Sequence, residues 1–166
     1  NYPKDKVRVY LSMAFGSPYS GSTSYRLLDL HVRDAKMLGS TVVFSDTVGC
    51  AIPNDISVAA GLARKHDIRP ALHLHHKGQE EKALSLIRKG LLSGIFEFDG
   101  SIGGLGGCPF VSGSGANLDT YMLVNHLDSW GFEHGIDIDL LGKSRSLAMQ
   151  IKHSDLEIPL PTNVVA

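Results

Sequence analysis

The chain has 166 residues, of which 43% are hydrophobic and 20% are charged, and its formal net charge at pH 7 is −1. These values are typical of one soluble globular domain and lack the basic excess that neutralises a nucleic-acid backbone. No apolar run approaches the length of about 20 residues that spans a bilayer, and the polar start NYPKDK is unlike a secretory signal peptide. We therefore expect neither a nucleic acid nor a membrane as a partner.

Four short apolar or β-branched runs predict strands over residues 7–13, 41–44, 71–75 and 95–98. Each of the first three is followed by a turn and then by a segment with helical periodicity. Alternation of this kind is typical of βα units and a parallel sheet.

The predicted helices are recognised by their apolar faces and by their end signals. The first has Leu28, Val32 and Ala35 on one face and Gly39 as its stop. The second helix begins at Pro53 and has an apolar face of Ile56, Ala59, Ala60 and Ala63. The third begins at about Gln79, has Ala83 and Ile87 on one face and stops at Gly90. Two further helices are predicted over residues 118–130 and 137–151.

Residues 103–117, GGLGGCPFVSGSGAN, combine many glycines with a single cysteine, Cys108. Glycine lets the backbone come close to a ligand, and a thiol in such a loop is available for chemistry. Gly106 and Gly107 are expected to support a bound substrate beside it. The alternative is a flexible surface loop with an incidental cysteine.

His73 and His75 lie two residues apart in the run ALHLHHKG, so an extended strand presents both rings on one face. Asn117, at the end of the glycine-rich segment, is a candidate oxygen ligand for a shared metal ion. Imidazole with oxygen ligation suits Mg²⁺ or Mn²⁺, whereas Zn²⁺ would more often recruit Cys108. A hydrogen-bonded structural pair of histidines is the alternative.

Three further residues near these strands have less specific signals. Asp46, in FSDTVG, either orients a ligand or substrate or caps the following turn. Cys50 is expected to be a small buried residue. His76 faces away from His75 in a strand, and we expect it to be structural or exposed to solvent.

Several of these segments together resemble 3-hydroxy-3-methylglutaryl-CoA (HMG-CoA) lyases. The loop SIGGLGGCPF followed by GSGAN resembles the signature loop of that family, and ALHLHHKG resembles its strand with two metal-binding histidines. VRVYLSMAFGSPYSG and FSDTVG resemble the two preceding strands. The resemblance extends from about residue 7 to residue 151.

The resemblance implies an α/β fold, a (β/α)8 TIM barrel of which this chain supplies about the last four βα units and the C-terminal helices. On this view residues 1–152 form the half-barrel domain and residues 153–166 form a tail. The missing N-terminal half would come from the same longer chain or from another chain. The family pattern also suggests a homo-oligomer in the cytoplasm or the mitochondrial matrix.

The implied activity is cleavage of HMG-CoA, an acyl-CoA substrate, to acetyl-CoA and acetoacetate. The family's catalytic cysteine corresponds to Cys108, and its divalent-metal ligands correspond to His73, His75 and Asn117. His73 is also a candidate for proton transfer beside its ligand role. Mg²⁺ or Mn²⁺ is the implied cofactor.

Two departures from the family pattern leave other functions open. His76 stands where the family usually has an aspartate, and the RDG-type motif of the first barrel strand is absent from the chain. A related aldolase or Claisen-type acyltransferase is one alternative, although those proteins generally lack the cysteine loop. A noncatalytic half barrel that binds a metal or a partner protein is the other.

Overall fold

The structure, a computed structural model, describes residues 2–76, 78–108, 111 and 115–153 of the chain. Strands and helices alternate along it, as the periodicity of the sequence predicts. The strands are β1 (Arg8–Leu11), β2 (Gly16–Ser17), β3 (Gly21–Ser22), β4 (Thr41–Asp46), β5 (Arg69–Leu74) and β6 (Glu97–Asp99). The helices are α1 (Tyr25–Leu38), α2 (Pro53–Lys65), α3 (Glu80–Leu92), α4 (Thr120–Ser129) and α5 (Ile138–His153).

Four of the strands form a parallel sheet in the order β1, β4, β5, β6, which is also their order along the chain. A helix connects each of these strands to the next. Because the sheet grows in one direction, it resembles the wall of a (β/α)8 barrel, whereas a doubly wound sheet reverses its strand order. The described residues therefore form four βα units of a TIM barrel.

The hydrophobic core lies between the sheet and its helices. Phe44 and Leu72 are fully buried on the helix side of the two central strands. The apolar faces predicted for the first three helices all contribute to this core. The buried helical residues that were expected from the sequence are Leu28, Val32, Ala35, Ile56, Ala59, Ala60, Ala63, Ala83 and Ile87.

The opposite face of the sheet carries polar side chains. Val9 and Leu11 pack against the helical core, so Arg8 and Tyr10, which alternate with them, point to the other face. Arg8 Nη2 lies 2.9 Å from Oδ1 of Asp99, although β1 and β6 are the two edges of the sheet. Three strand spacings would separate the edges by about 14 Å in a flat sheet. The two edges thus approach each other over what is the inner face of the barrel.

The structure corrects the sequence-based prediction for Gly90. Helix α3 continues through this residue to Leu92, so Gly90 is not its stop. A Cβ atom at Gly90 would lie 3.1 Å from Cδ1 of Leu72, and Phe98 is also close. The absence of a side chain therefore serves the close packing of α3 on the sheet. Gly94, with φ of 87°, lies in the turn that follows the helix.

Two other parts of the structure differ from the prediction. The first strand ends at Leu11, because Met13 has a left-handed φ of 55° and begins a turn. Beyond it, β2 and β3 form a short antiparallel hairpin that the sequence did not predict. Strands of two Gly and Ser residues have no apolar alternation from which they can be recognised.

The expected C-terminal tail, residues 153–166, lies outside the described residues except for His153, the last residue of α5. Across the residues that the structure does describe, none of the helices has both the length and the apolar character needed to cross a membrane.

We predict that these 166 residues expressed alone do not form a stable monomer. Within the described residues, β1 and β6 are edge strands, and their free backbone groups favour association with other strands. Sedimentation together with thermal unfolding would test this expectation. A monomer that unfolds cooperatively at high temperature would contradict the half-barrel interpretation.

Candidate active site

The side chains of interest lie where the parallel strands end. Asp46 is the last residue of β4, Asp99 is the last residue of β6, and His73 and His75 lie at the end of β5. Because the strands are parallel, their carboxyl ends lie at the same end of the sheet, and these positions come together there. In (β/α)8 barrels, active sites are built at this end of the strands.

His73 and His75 point their imidazole rings at each other. Nε2 of His73 lies 3.2 Å from Nε2 of His75, and the ring centroids are 5.1 Å apart. His75 is buried, whereas His73 is partly exposed. The i, i+2 spacing in an extended backbone accounts for the shared direction of both rings.

This separation of the two nitrogens is compatible with one shared cation. Two ligands bound at about 2.1 Å and at right angles, as in an octahedral site, are about 3 Å apart. A hydrogen bond between one protonated and one unprotonated nitrogen has a similar length, so both sequence-based alternatives agree with the distance. Burial lowers the pKa of His73. It therefore favours the neutral ring, which is the form that binds metals.

Asn117 lies next to His75 and is a candidate oxygen ligand. Its backbone forms an isolated bridge with His75, and its Nδ2 donates to the carbonyl oxygen of Leu105 at 2.8 Å. Among the described residues, no hydrogen-bond partner reaches the buried Oδ1 of Asn117. A buried acceptor without a partner is costly, and a cation would satisfy it. The donor set of two imidazoles and one amide oxygen thus fits a divalent ion.

The described residues contain no cluster of three His, Cys, Asp or Glu side chains that could hold a metal ion by themselves. The two histidines and Asn117 therefore account for part of a coordination shell. Water, substrate or residues outside the described part of the chain would complete it.

The first half of the glycine-rich loop passes directly over Asn117. Gly106 has φ of 88°, and a Cβ atom there would lie 2.9 Å from Nδ2 of Asn117. A Cβ atom at Gly104, with φ of 65°, would lie 2.9 Å from the carbonyl oxygen of Asn117. Gly106 therefore has a steric requirement for glycine, whereas Gly107 is simply exposed. The prediction that both support a substrate is not tested by this geometry.

Cys108 is partly buried in this loop, and its carbonyl oxygen accepts a hydrogen bond from the amide of Val111 at 3.3 Å. Residues 109, 110 and 112–114 of this loop lie outside the described residues. The loop ends at Asn117, so it connects the thiol to the candidate ligand over nine positions of sequence.

Asp46 caps the turn that follows β4. It is buried, and its two carboxylate oxygens accept hydrogen bonds from the amides of Cys50 at 2.9 Å and Ala51 at 3.1 Å. These contacts favour the turn-capping alternative. Burial is also the main reason why the pKa of Asp46 is raised.

Cys50 and His76 lie in loops beside the strand ends and had less specific signals in the sequence. Cys50 is exposed, so the prediction of a buried cysteine was wrong; it lies in the loop before α2, beside the hairpin. Nδ1 of His76 accepts a hydrogen bond from the amide of Gly78 at 3.1 Å. That contact closes a local turn and agrees with a structural role.

The sequence did not predict that side chains of β1 reach the polar residues beside His73. Tyr10 donates its hydroxyl hydrogen to Oδ2 of Asp99 at 2.8 Å, and the same oxygen lies 3.8 Å from Nδ1 of His73. Burial and this hydrogen bond raise the pKa of Tyr10. The signal that the sequence offered was the alternation of Arg8 and Tyr10 with apolar residues in β1.

No family model matches the chain, but individual relatives do. The cytoplasmic 3-hydroxy-3-methylglutaryl-CoA lyase of Mus musculus is 32% identical over 80% of this chain and 39% of the relative. The (R)-citramalyl-CoA lyase of Chloroflexus aurantiacus is 30% identical over 80% of this chain and 42% of the relative. The chain therefore spans less than half the length of either protein.

A solved structure resembles the fold. An HMG-CoA lyase from Acinetobacter baumannii, in complex with coenzyme A and 3-methylmalate, superimposes with a TM-score of 0.79 at 27% identity. The match covers 96% of this chain and 54% of that protein. By sequence and by fold, the chain is similar to HMG-CoA lyases and corresponds to about half of such a protein.

Proposed function

We propose that the chain supplies the C-terminal half of a divalent-metal-dependent carbon-carbon lyase that cleaves HMG-CoA to acetyl-CoA and acetoacetate. The main support is the paired arrangement of His73 and His75, whose Nε2 atoms lie 3.2 Å apart at the carboxyl end of strand β5. The family relationship supports the same reaction class. The remaining half of the barrel would come from the same longer protein or from another chain.

In this proposal His73, His75 and Asn117 bind one Mg²⁺ or Mn²⁺ ion. When bound, the ion would lower the pKa of the substrate's tertiary hydroxyl and stabilise negative charge on oxygen. The ligand role of His73 uses Nε2, the atom that faces His75, while Nδ1 is buried toward Asp99. A ring held in this way is better placed to bind the ion than to accept the hydroxyl proton as well.

Cys108 would complete the reaction as a general acid. A base in the assembled site would accept the hydroxyl proton, and cleavage of the carbon-carbon bond would then leave acetoacetate and the enolate of acetyl-CoA. That enolate needs one proton on carbon, and the Cys108 thiol would donate it. The glycines before the thiol would let the loop close over the substrate and exclude water.

A second candidate acyl group comes from the comparisons, because a (R)-citramalyl-CoA lyase, at 30% identity, is nearly as similar as the HMG-CoA lyase of Mus musculus, at 32%. We propose HMG-CoA as the substrate because the cysteine loop closely resembles the signature loop of the HMG-CoA lyases. A homo-oligomer in the cytoplasm or in mitochondria is part of the same proposal.

Turnover by the assembled protein that contains this chain would test the proposal. With HMG-CoA, we expect equal amounts of acetyl-CoA and acetoacetate, loss of activity on chelation, and recovery with Mg²⁺ or Mn²⁺. A preference for citramalyl-CoA would assign the second substrate. Metal binding without carbon-carbon cleavage of either acyl-CoA would instead support a noncatalytic half barrel.

A further inference from the structure

The carboxylate of Asp99 is held by two side chains from the opposite edge of the sheet. Arg8 Nη2 donates to Oδ1 at 2.9 Å, and the Tyr10 hydroxyl donates to Oδ2 at 2.8 Å. The side chain of Asp99 is 19% exposed, so these contacts are partly shielded from water. Arg8 also lies 5.6 Å from the centre of the Tyr10 ring. The position of this carboxylate is therefore well defined.

Asp99 is also the sheet neighbour of His73. The two residues are directly paired in the register of β5 and β6, which places them at the same height on the inner face. Oδ2 of Asp99 is 3.8 Å from Nδ1 of His73. Nδ1 is buried and has no hydrogen-bond partner among the described residues. The distance is too long for a hydrogen bond, but a small rotation of either side chain would make one.

The two nitrogens of His73 thus face two different surroundings. Nε2 faces His75, where a cation would bind, and Nδ1 faces a carboxylate. A neutral imidazole that donates through Nδ1 has its free electron pair on Nε2. Metal-binding histidines usually donate their other N–H to a carboxylate or carbonyl in this way, which fixes the tautomer and the ring orientation.

We propose that Asp99 is a positioning residue that accepts a hydrogen bond from Nδ1 of His73 when that histidine binds a divalent ion through Nε2. Arg8 and Tyr10 hold the carboxylate, so strand β1 contributes to the metal site without providing a ligand. This inference rests on the proposed function for the presence of the ion. It adds three residues to which the comparison with known relatives assigned no role.

Glu97 offers a matched control for Asp99. It lies two residues earlier on the same strand, and its carboxylate is 3.9 Å from both Arg8 and Arg69. It is paired with Ala71 in the register, so its direct neighbour on β5 is not a histidine. Replacement of either acid by its amide removes one negative charge from the same polar face.

The test compares Mn²⁺ binding to the wild type, Asp99→Asn, Asp99→Glu and Glu97→Gln by titration calorimetry, in the assembled protein. We expect Asp99→Asn to weaken binding by roughly 10- to 100-fold, as is usual for loss of such a partner. Asp99→Glu should restore part of the affinity, and Glu97→Gln should bind like the wild type. Melting temperatures of the metal-free proteins would separate this effect from a general loss of stability.

The outcomes distinguish this inference from the proposed function. If the wild type does not bind Mn²⁺, the metal site itself is wrong. If the wild type binds and Asp99→Asn binds equally well, or if Glu97→Gln loses as much affinity, the positioning role of Asp99 is wrong and the metal site stands.

A measurement on the wild type covers the case in which Asp99→Asn does not fold. In the Mg²⁺-loaded protein, nitrogen NMR of the His73 ring should show a proton on Nδ1 that exchanges slowly with water. A ring protonated at Nε2, or rapid exchange of the Nδ1 proton, would contradict the inference.

Discussion

Replacement of Cys108 by alanine should lower kcat of the assembled lyase by roughly 10²- to 10⁴-fold, the usual contribution of one general acid. If the thiol donates its proton in the transition state, the loss appears in kcat while metal content and folding stay normal. Cys108 is partly buried and follows Gly104 and Gly106, the two glycines of the loop that lie against Asn117. Turnover, bound metal and melting temperature should be measured on the same preparation.

The three roles available to Cys108 give different results in that experiment. A structural cysteine would show a lower melting temperature with normal turnover per folded molecule, and a ligand would show loss of metal. Cys50→Ala is the matched control, because Cys50 is exposed in a loop outside the histidine cluster. We expect it to retain turnover. Near-normal kcat in Cys108→Ala would remove this thiol from the mechanism.

Replacement of either His73 or His75 by alanine should weaken binding of Mg²⁺ or Mn²⁺ by well over tenfold. Loss of a direct ligand costs more than the 10- to 100-fold that is typical of residues behind a ligand. The Nε2 atoms of the two rings are 3.2 Å apart, so each removal should affect the same ion. Titration calorimetry and metal analysis after dialysis would measure the effect.

His76→Ala is the control for these two variants. His76 follows His75 directly in the sequence, but its ring accepts a hydrogen bond from the amide of Gly78 and serves a turn. We expect unchanged metal affinity in that variant. If His73→Ala and His75→Ala both keep the wild-type metal content, the pair is a structural hydrogen bond and the metal site is refuted.

Much of the fold follows from local patterns. The apolar faces of α1, α2 and α3 and the four parallel strands were recognisable, because helical periodicity and β-branched runs act over a few residues. The end of α1 at Gly39 was predicted, but the end of α3 was not. Gly90 is a glycine because α3 lies close to Leu72, and a contact between elements leaves no local signal.

Part of the candidate site could also be predicted from the sequence. The i, i+2 spacing of His73 and His75 determines that both rings share one face, because side chains alternate along a strand. The glycines around Cys108 indicated a loop that approaches other backbone closely, and Gly106 does lie against Asn117. The sequence alone did not favour either alternative for Asp46, whereas its two hydrogen bonds to the following turn favour the turn cap.

By itself, then, the sequence determined the alternation of strands and helices, the shared face of the histidine pair and the position of the cysteine loop after the last strand. Only the tertiary structure decided that Arg8 and Tyr10 donate hydrogen bonds to Asp99 on the Nδ1 side of His73. Those contacts join residues 91 and 89 positions apart. They depend on how strongly four strands curve and on which edge side chains then face each other. Curvature is a property of the packed sheet, and no short segment of sequence encodes it.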